Sequence, residues 1–336
     1  MRSGILLLVS LSYATDAPLQ PYEAVESHMG TLVRIKLYAA DQEHAKAGFR
    51  AAFERIAELD RTLSDYQPDS ELNQLCRTAA GHPVNISDDL YRVLSAAQEL
   101  AKESGGAFDV TQGPVILLWR NARRDRILPD PSALRAAAGR SGFTNLHLNQ
   151  VGPTAVLDRP DMQLDVGGIA KGYAADAALE VLNRMGITSA LVAASGDLAF
   201  SHAPPGQRGW KIGLDSLDDS LDRPDAPFSR VLELSDAAVS TSGDTEQFAE
   251  LNGKRYSHII DPATSQALTD SVTVSVIARR GITADSLATA VCVLGPDRGM
   301  ALVEKHREAA AILVKRSGGA PVESSKFRSL LRRQAQ

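Results

Sequence analysis

The chain carries the stretch LDVGGIAKGYA at residues 164–174, and this stretch decides how the centre of the fold is interpreted. Apolar and polar residues alternate from Met162 to Val166, which predicts a strand that ends near Asp165. Two glycines follow, and a helical pattern then continues until Gly186. A glycine-rich loop that leads into a helix presents backbone N–H groups at the positive end of the helix dipole. Such a loop can bind an anion such as a phosphate group.

The glycine loop matches neither of the two common phosphate motifs. The dinucleotide fingerprint needs glycines at relative positions 0, 2 and 5, whereas here they fall at 0, 1 and 5. The P-loop needs Gly-Lys followed by Ser or Thr, whereas here Lys171 precedes Gly172. Close packing of a helix on a strand would also explain these glycines. The loop alone therefore leaves phosphate binding and tight packing equally open.

The composition is that of an ordinary globular protein. Of 336 residues, 44% are hydrophobic, and 36 basic residues against 41 acidic ones give a net charge of -5. This balance disfavours a duplex nucleic-acid binder, and the 5% of aromatic residues argues against a base-stacking platform. No apolar run reaches the roughly 18–20 residues of a membrane-spanning helix. Only one clean strand–helix–strand unit is visible, so a mixed α+β fold is favoured over a doubly wound sheet.

Other segments also have interpretable patterns. Helices are predicted over 41–60 and after Ser87, where a capping side chain precedes two acids. The arginine-rich stretch 120–145 is interpreted as a solvated surface segment, and 201–229 as a long loop. Strands are predicted at 31–38, 230–234, 256–260 and 272–277.

Residues 1–17 form a candidate signal peptide. One arginine precedes a short apolar run, and both Ser12-Tyr13-Ala14 and Thr15-Asp16-Ala17 fit the small-x-small pattern of a cleavage site. A mis-chosen start codon or a frayed apolar tail is the alternative. We therefore expect one catalytic unit over 18–336 in an exported or periplasmic protein, or otherwise a cytoplasmic one. The cysteines, Cys76 and Cys292, have no zinc-site or redox-pair spacing, although one long-range disulfide stays open.

A carboxylate and a hydroxyl fall on one face of a predicted helix, because Asp285 and Thr289 are four residues apart. Together they can offer two oxygen ligands to a hard cation such as Mg²⁺. Alternatively, Asp285 complements the helix dipole and Thr289 bonds back to a carbonyl group. Similarly, His258 precedes the Asp261-Pro262 turn and is either a base, a phosphate contact or a structural residue.

Taken together, these signals resemble the ApbE-type family of FAD:protein FMN transferases. Seven stretches occur in the family order: 29–31, 64–66 with 68–72, 106–111, 164–174, 240–243, 258–262, and 284–286 with 289–290. The family commonly has two glycines where this chain has Ser195-Gly196, which puts only the local turn geometry in doubt. The resemblance implies mixed, largely antiparallel sheets with packed helices, in one unit or in two lobes with an FAD cleft between them.

The resemblance also implies a reaction and a set of site residues. FAD is the substrate, FMN passes to a threonine or serine of an acceptor protein, and AMP leaves. The implied acceptor belongs to a membrane redox complex or is a flavoprotein reductase. The implied FAD contacts are Met29, Tyr66, Ala107, Phe108, Asp109, Asp165, Lys171 and Ile259, with Tyr66 stacking on the isoalloxazine and residues 107–109 lining the flavin or adenosine pocket. The implied Mg²⁺ ligands are Asp285, Thr289, and backbone oxygens of Gly168 and Ala288.

The chemistry of the residues agrees with this reaction. Cleavage of a pyrophosphate mainly needs its charge to be neutralised, which a divalent ion and Lys171 can do. A threonine hydroxyl is a poor nucleophile at neutral pH, so we expect a nearby base, and His258 is the candidate. One alternative is an FAD pyrophosphatase that uses the same site. Another is a non-catalytic flavin-binding protein of the same fold, against which the presence of Asp285, Thr289 and Lys171 argues. This sequence has no dinucleotide fingerprint, which argues against a flavin oxidoreductase.

Overall fold

The computed structural model describes residues 18–214, 230–243 and 248–334. The candidate signal segment and part of the expected 201–229 loop lie outside the described residues. Within these ranges the chain forms eight α-helices: α1 Gln42–Leu63, α2 Glu71–Thr78, α3 Asp88–Ser104, α4 Gly113–Asp125, α5 Pro131–Ala138, α6 Ala170–Arg184, α7 Gly281–Lys305 and α8 Ser325–Gln334. The backbone of α7 is non-helical at Gly295, just before Pro296, so this helix is kinked there.

Seventeen strands occur in the same ranges, and eight of them build the main sheet. These eight are β1 Gln20–His28, β2 Thr31–Ala39, β6 Ala190–Ala194, β7 Asp197–Phe200, β10 Ala237–Gly243, β15 Val272–Ala278, β16 Ala310–Lys315 and β17 Val322–Glu323. They are ordered β1-β2-β6-β7-β10-β15-β16-β17, and every pair is antiparallel. The sheet therefore follows chain order, with helices inserted between β2 and β6.

The other nine strands form small antiparallel sheets at the periphery. One contains β3 Val84–Asn85, β4 Leu146–Asn149 and β5 Thr154–Leu157. The other six strands form three two-stranded sheets: β8 Trp210–Leu214 with β9 Arg230–Leu234, β11 Phe248–Leu251 with β12 Lys254–Ser257, and β13 Ile260–Asp261 with β14 Gln266–Ala267. The fold is thus the mixed, largely antiparallel α+β fold that the sequence predicts.

Alternation along the sheet strands divides the apolar residues between two faces. On β15, Val274 and Val276 join the large core beneath α1, α6 and α7, whereas Ile277 joins a smaller core beneath β8, β9 and α8. A third apolar cluster, centred on Trp119 and Ile260, packs α4 and α5 against the β11–β14 hairpins. The candidate site residues lie where the large core meets this third cluster.

Several sequence predictions are confirmed. The predicted 31–38 strand is β2, and the 41–60 helix is α1. Ser87 caps α3 by accepting a hydrogen bond from the Leu90 N–H at 3.2 Å. The 230–234 and 272–277 strands also form, whereas the 256–260 strand is broken by a bend at His258. Both cysteines are thiols, and Cys292 is buried in α7.

The predicted strand at 162–166 is wrong. The side chains do alternate, since Met162, Leu164 and Val166 are buried. However, the Leu164 N–H donates to Cys76 Sγ at 3.3 Å and the Asp165 N–H to the Val110 carbonyl at 2.8 Å. The backbone therefore pairs with a helix and a turn instead of a neighbouring strand, so the strand–helix–strand unit does not form.

Two other predictions need correction. The expected 201–229 loop contains strand β8, whose Trp210 and Ile212 belong to the smaller core. The arginine-rich stretch begins inside α4, where Arg120 is partly buried, and continues into α5.

Among the described residues, α7 is long and apolar enough to cross a membrane. However, 56% of its most apolar 18-residue segment is buried in the protein, as in a core helix.

The closest backbone approach near the site joins α6 and α7. A methyl group at Gly172 would lie 2.1 Å from the Gly281 carbonyl oxygen, and one at Gly281 would lie 2.3 Å from the Gly172 carbonyl oxygen. Only a residue without Cβ permits this approach, and no flexible side chain is present that could move away. The two glycines therefore set the distance between α6 and α7.

We expect Gly172→Ala to lower the free energy of unfolding by about 3 kcal/mol or more, because the added methyl group meets backbone on another helix. Urea denaturation measures the change. The matched control is Gly139→Ala, where the nearest atom would be at an ordinary 3.4 Å, and which should stay within about 1 kcal/mol of wild type. An unchanged urea midpoint for Gly172→Ala would contradict the close approach.

Candidate active site

The glycine loop at 167–169 is held in place by two aspartates. Asp165 Oδ1 accepts a hydrogen bond from the Gly167 N–H at 2.8 Å, which fixes the turn before α6. Asp285, on α7, accepts from the Gly172 N–H at 3.0 Å, in the first turn of α6. Ile169, the N-cap residue of α6, makes no side-chain capping bond. Asp285 therefore caps α6 from the neighbouring helix, a role different from the dipole and metal roles weighed in the sequence.

Lys171 lies at the centre of a group of acidic side chains. Its Nζ lies 3.0 Å from Asp197 Oδ2 and donates to the Gly167 carbonyl at 3.1 Å. Asp197 also accepts a hydrogen bond from the Ser240 hydroxyl. Burial alone would lower the pKa of Lys171, but the Asp285 and Asp197 carboxylates outweigh it and raise that pKa. The ammonium group is therefore permanently charged beside the glycine loop.

The four proposed metal ligands come together around α7. Asp285 and Ala288 are buried, and a methyl group at Gly168 would lie 3.0 Å from Thr289 Oγ1. Thr289 Oγ1 also lies 3.5 Å from the Ser242 hydroxyl. Burial first, and the Asp197 carboxylate second, raise the pKa of Asp285, while Lys171 opposes them. The described residues contain no cluster of three His, Cys, Asp or Glu side chains that could hold a metal, so this set combines one carboxylate with hydroxyl and carbonyl oxygens.

Arg120 belongs to the site, contrary to the solvated-surface interpretation of its segment. Its guanidinium donates to the Asp65 carboxylate and, at 2.6 Å, to Asp165 Oδ2. It also lies over the Tyr66 ring, 4.4 Å from the centroid. Burial, and then Asp165, raise the pKa of Asp65, which Arg120 counteracts. Tyr66 itself is 73% exposed, so much of its ring is open to solvent.

Ala107 and Asp109, but not Phe108, border a cavity of about 340 Å³ between α3, α5 and α7. Ala107, Asp109, Asp261 and Arg298 are among its lining residues. Phe108 is buried and points toward the glycine loop, since a methyl group at Gly168 would lie 3.4 Å from its ring.

The Asp109 carboxylate is committed to the protein. It accepts hydrogen bonds from the backbone N–H groups of Thr111 at 2.8 Å and Phe143 at 3.1 Å. It also accepts from the Thr111 hydroxyl at 2.6 Å and from Gln112 Nε2 at 3.1 Å. With four donors already bound, the side chain shapes the wall of the cavity.

The remaining predicted residues lie on turns. Met29 occupies the tip of the β1–β2 hairpin with a left-handed φ of 51°, and its N–H donates to Asp60 Oδ2 at 3.3 Å. His258 is half-buried at the bend between β12 and β13. The Ile259 N–H donates to Ser257 Oγ at 3.1 Å, and its carbonyl accepts from the Leu268 N–H at 2.9 Å. A ligand contact through the Ile259 backbone would therefore use the second lone pair of that carbonyl.

Known proteins match this chain in sequence and in fold over nearly its whole length. A family model described as "ApbE family" matches residues 29–313. The chain belongs to the ApbE family. It is 34% identical to the FAD:protein FMN transferase of Treponema pallidum over 333 residues, which cover 93% of this chain and 90% of that relative. Its fold matches the flavin transferase ApbE of Vibrio cholerae with a TM-score of 0.82 and 29% identity, covering 93% of this chain and all of that one.

A second solved structure agrees. The apo flavinyl transferase ApbE of Pseudomonas stutzeri matches with a TM-score of 0.81 and 29% identity, over 93% of this chain and 97% of that one. In this ApbE-family chain, Ser195 takes the place of a common glycine and adopts a left-handed φ of 58°. The turn therefore holds a residue with a side chain in a conformation that favours glycine, at the strain that this imposes.

Four functional or supporting residues were not predicted from the sequence: Arg120, Asp176, Asp197 and Ser242. Asp197 and Ser242 lie within motifs that the sequence does display, namely the 195–197 turn and the 240–243 stretch. Arg120 and Asp176 lie in helices whose patterns gave no sign of a buried ion pair. Asp176 Oδ1 accepts from the Gly281 N–H at 2.7 Å, and its Oδ2 accepts from the Ile282 N–H at 3.1 Å. It therefore caps the start of the helix that carries Asp285.

We expect Asp176→Ala to lower the free energy of unfolding by about 2 kcal/mol, because it leaves two N–H groups of α7 without their charged acceptor. The control is Glu180→Ala, which removes the other, half-exposed carboxylate that pairs with Arg280 and should cost less than about 1 kcal/mol. Chemical denaturation of both variants measures the difference. Equal losses would show that Asp176 acts only as a surface partner of Arg280.

Proposed function

We propose that this chain transfers FMN from FAD to a threonine or serine hydroxyl of an acceptor protein. The hydroxyl oxygen forms a bond to the phosphorus atom of the FMN half. The bond from that phosphorus to the bridging oxygen breaks, and AMP leaves with the bridging oxygen. The hydroxyl proton passes to a base, and the product is a phosphoester between FMN and the acceptor side chain.

The observation that carries this proposal is the placement of Lys171 and the glycine loop against Asp285 and Thr289. In a chain whose relatives are named FAD:protein FMN transferases, this arrangement suits a pyrophosphate substrate. The charged Lys171 can hold its anionic oxygens. The N–H groups of Gly167, Ile169, Ala170 and Gly172 already donate to acceptors within the protein, so Lys171 carries this part of the proposal. Asp197 and the Gly167 carbonyl keep the ammonium group in place, since both contact it at about hydrogen-bonding distance.

The residues around Asp285 suit a Mg²⁺ ion. Asp285, Thr289 and the backbone oxygens of Gly168 and Ala288 supply only hard oxygen donors, which Mg²⁺ prefers. When bound there, Mg²⁺ would neutralise charge on the pyrophosphate and on the leaving AMP.

His258 is our candidate for the base that accepts the hydroxyl proton. An imidazole can accept a proton near neutral pH, and the half-buried position at a bend gives it access from one side. Tyr66 is our candidate for stacking on the isoalloxazine, with Met29 beside it. The cavity beside Ala107 and Asp109 is of a size that accepts one end of the dinucleotide.

The acceptor and the compartment are also proposals. We propose an acceptor in a membrane redox complex or a flavoprotein reductase, in agreement with the resemblance noted in the sequence. We propose export to the periplasm, which the apolar N-terminal run and its two cleavage patterns support. Intact mass measurement of the protein isolated from its native host tests export, and retention of residues 1–17 would contradict it.

Incubation with FAD, Mg²⁺ and a candidate acceptor domain tests the reaction. In-gel flavin fluorescence on the acceptor, with a mass increase equal to FMN bound to threonine or serine, supports transfer. Release of FMN and AMP without acceptor labelling would favour the FAD pyrophosphatase. Intact FAD with no products would favour the non-catalytic flavin-binding protein.

We expect Asp285→Asn to lower the transfer rate by about a hundredfold or more while the fold is kept. The amide preserves shape and can still accept from the Gly172 N–H, but it removes the charge that a hard cation requires. The rate is measured by acceptor labelling at limiting Mg²⁺, and stability by thermal unfolding.

The control for this variant is Asp297→Asn, the same substitution at an exposed position of α7, which should transfer FMN like wild type. Near wild-type transfer by Asp285→Asn would contradict the metal role and leave Asp285 with its capping role alone.

A further inference from the structure

Arg120 connects two loops that are far apart in the sequence. One is the 64–67 loop after α1, which carries Tyr66. The other is the 165–167 turn, which leads into the glycine loop. A single guanidinium donates one Nη to Asp65, donates the other to Asp165 at 2.6 Å, and covers one face of the Tyr66 ring. Arg120 thus contacts both loops at once.

Each loop is shaped by its own local bonds, but neither set of bonds joins the two. Asn73 Nδ2 donates to the carbonyls of Ser64, Asp65 and Gln67 at 2.9–3.3 Å, which fixes the backbone around Tyr66. Asp165 Oδ1 accepts from Gly167, which fixes the turn. Arg120 bonds to both loops and therefore affects their relative position.

Arg120 is not needed to anchor its own helix. The adjacent Trp119 is 2% exposed, donates from Nε1 to the Ser265 carbonyl at 2.9 Å, and packs in the third apolar cluster with Val115 and Leu134. The helix α4 is therefore fixed by apolar burial, and the guanidinium projects from a rigid base. Without it, the Asp65 and Asp165 carboxylates would repel each other.

We propose that Arg120 is a positioning residue that holds the flavin-stacking side chain Tyr66 in register with the pyrophosphate-binding glycine loop. This inference rests on the proposed function, which assigns the two halves of FAD to these two loops. Arg120 would act on the flavin through Tyr66 and on the phosphates through Asp165 and Gly167.

An arginine suits this task and a lysine does not. The planar guanidinium offers separate N–H groups to two carboxylates and a flat face to an aromatic ring. An ammonium group is a compact point charge, so it can satisfy one carboxylate or approach the ring but cannot fix the geometry of all three partners. Tyr66 is 73% exposed despite this contact, so ring surface remains for a second flat ring.

The test measures the two halves of FAD separately on the full chain, with riboflavin as the probe for the flavin half and ADP for the phosphate half. Calorimetric titration at constant Mg²⁺ compares wild type, Arg120→Met and Arg120→Lys. The matched control is Arg124→Met on the same helix, whose exposed side chain pairs with the adjacent Asp125.

We expect Arg120→Met to raise Kd roughly fivefold for riboflavin and also roughly fivefold for ADP, the scale of a lost ion pair of about 1 kcal/mol. Arg120→Lys should restore the affinity for at most one of the two probes. Arg124→Met should bind both probes like wild type. Loss for one probe alone, loss for neither, or recovery of both by lysine would overturn the proposal. A purely structural ion pair would lower the Tm of Arg120→Met and leave both Kd values unchanged.

A double variant separates positioning from direct contact. In a Tyr66→Ala background, adding Arg120→Met should leave the riboflavin Kd unchanged and still weaken ADP. An equal riboflavin loss in both backgrounds would mean that Arg120 touches the flavin itself, which overturns the assignment. These are binding measurements, so they test the role of Arg120 even if no acceptor is labelled. Normal acceptor labelling by Arg120→Met with unchanged Kd values would contradict the role of Arg120 and leave the proposed transferase function intact.

Discussion

The site depends on the crossing of α6 and α7, where each helix caps the other. Asp285 of α7 accepts from the Gly172 N–H in the first turn of α6, and Asp176 of α6 accepts from Gly281 and Ile282 in the first turn of α7. Gly172 and Gly281 let the backbones approach closely enough for these exchanges. A change in this crossing would move the glycine loop and Asp285 together, because the same bonds hold both.

Charge balance imposes a second constraint on the same crossing. Lys171 is surrounded by Asp165, Asp197 and Asp285, and Asp165 is also paired with Arg120, so carboxyl groups outnumber cationic groups around the site even without substrate. Placing a pyrophosphate there would add repulsion unless further positive charge accompanied it. A divalent cation beside Asp285, as proposed above, would supply that charge.

The sequence predicts the parts of the site that are local. The glycine loop, the helix after it, and the shared face of Asp285 and Thr289 follow from spacing alone, and the family follows from seven ordered motifs. The 162–166 strand was predicted wrongly because alternation reports which side chains are buried, not which backbone groups pair. Whether those groups meet another strand depends on segments far along the chain.

The roles of Arg120 and Asp197 could not be predicted for a related reason. Arg120 meets Asp65 and Asp165 across 55 and 45 residues, and three other arginines nearby make its segment look solvated. Only the burial of Trp119 orients α4 so that the next side chain turns inward. Arg120 thus projects from a helix of the third apolar cluster, whereas the residues that flank both loops, such as Leu63, Leu72 and Ile169, belong to the large core. The proposed alignment of the two loops therefore draws on a side chain from a different packing unit, and Arg120 contacts both loops.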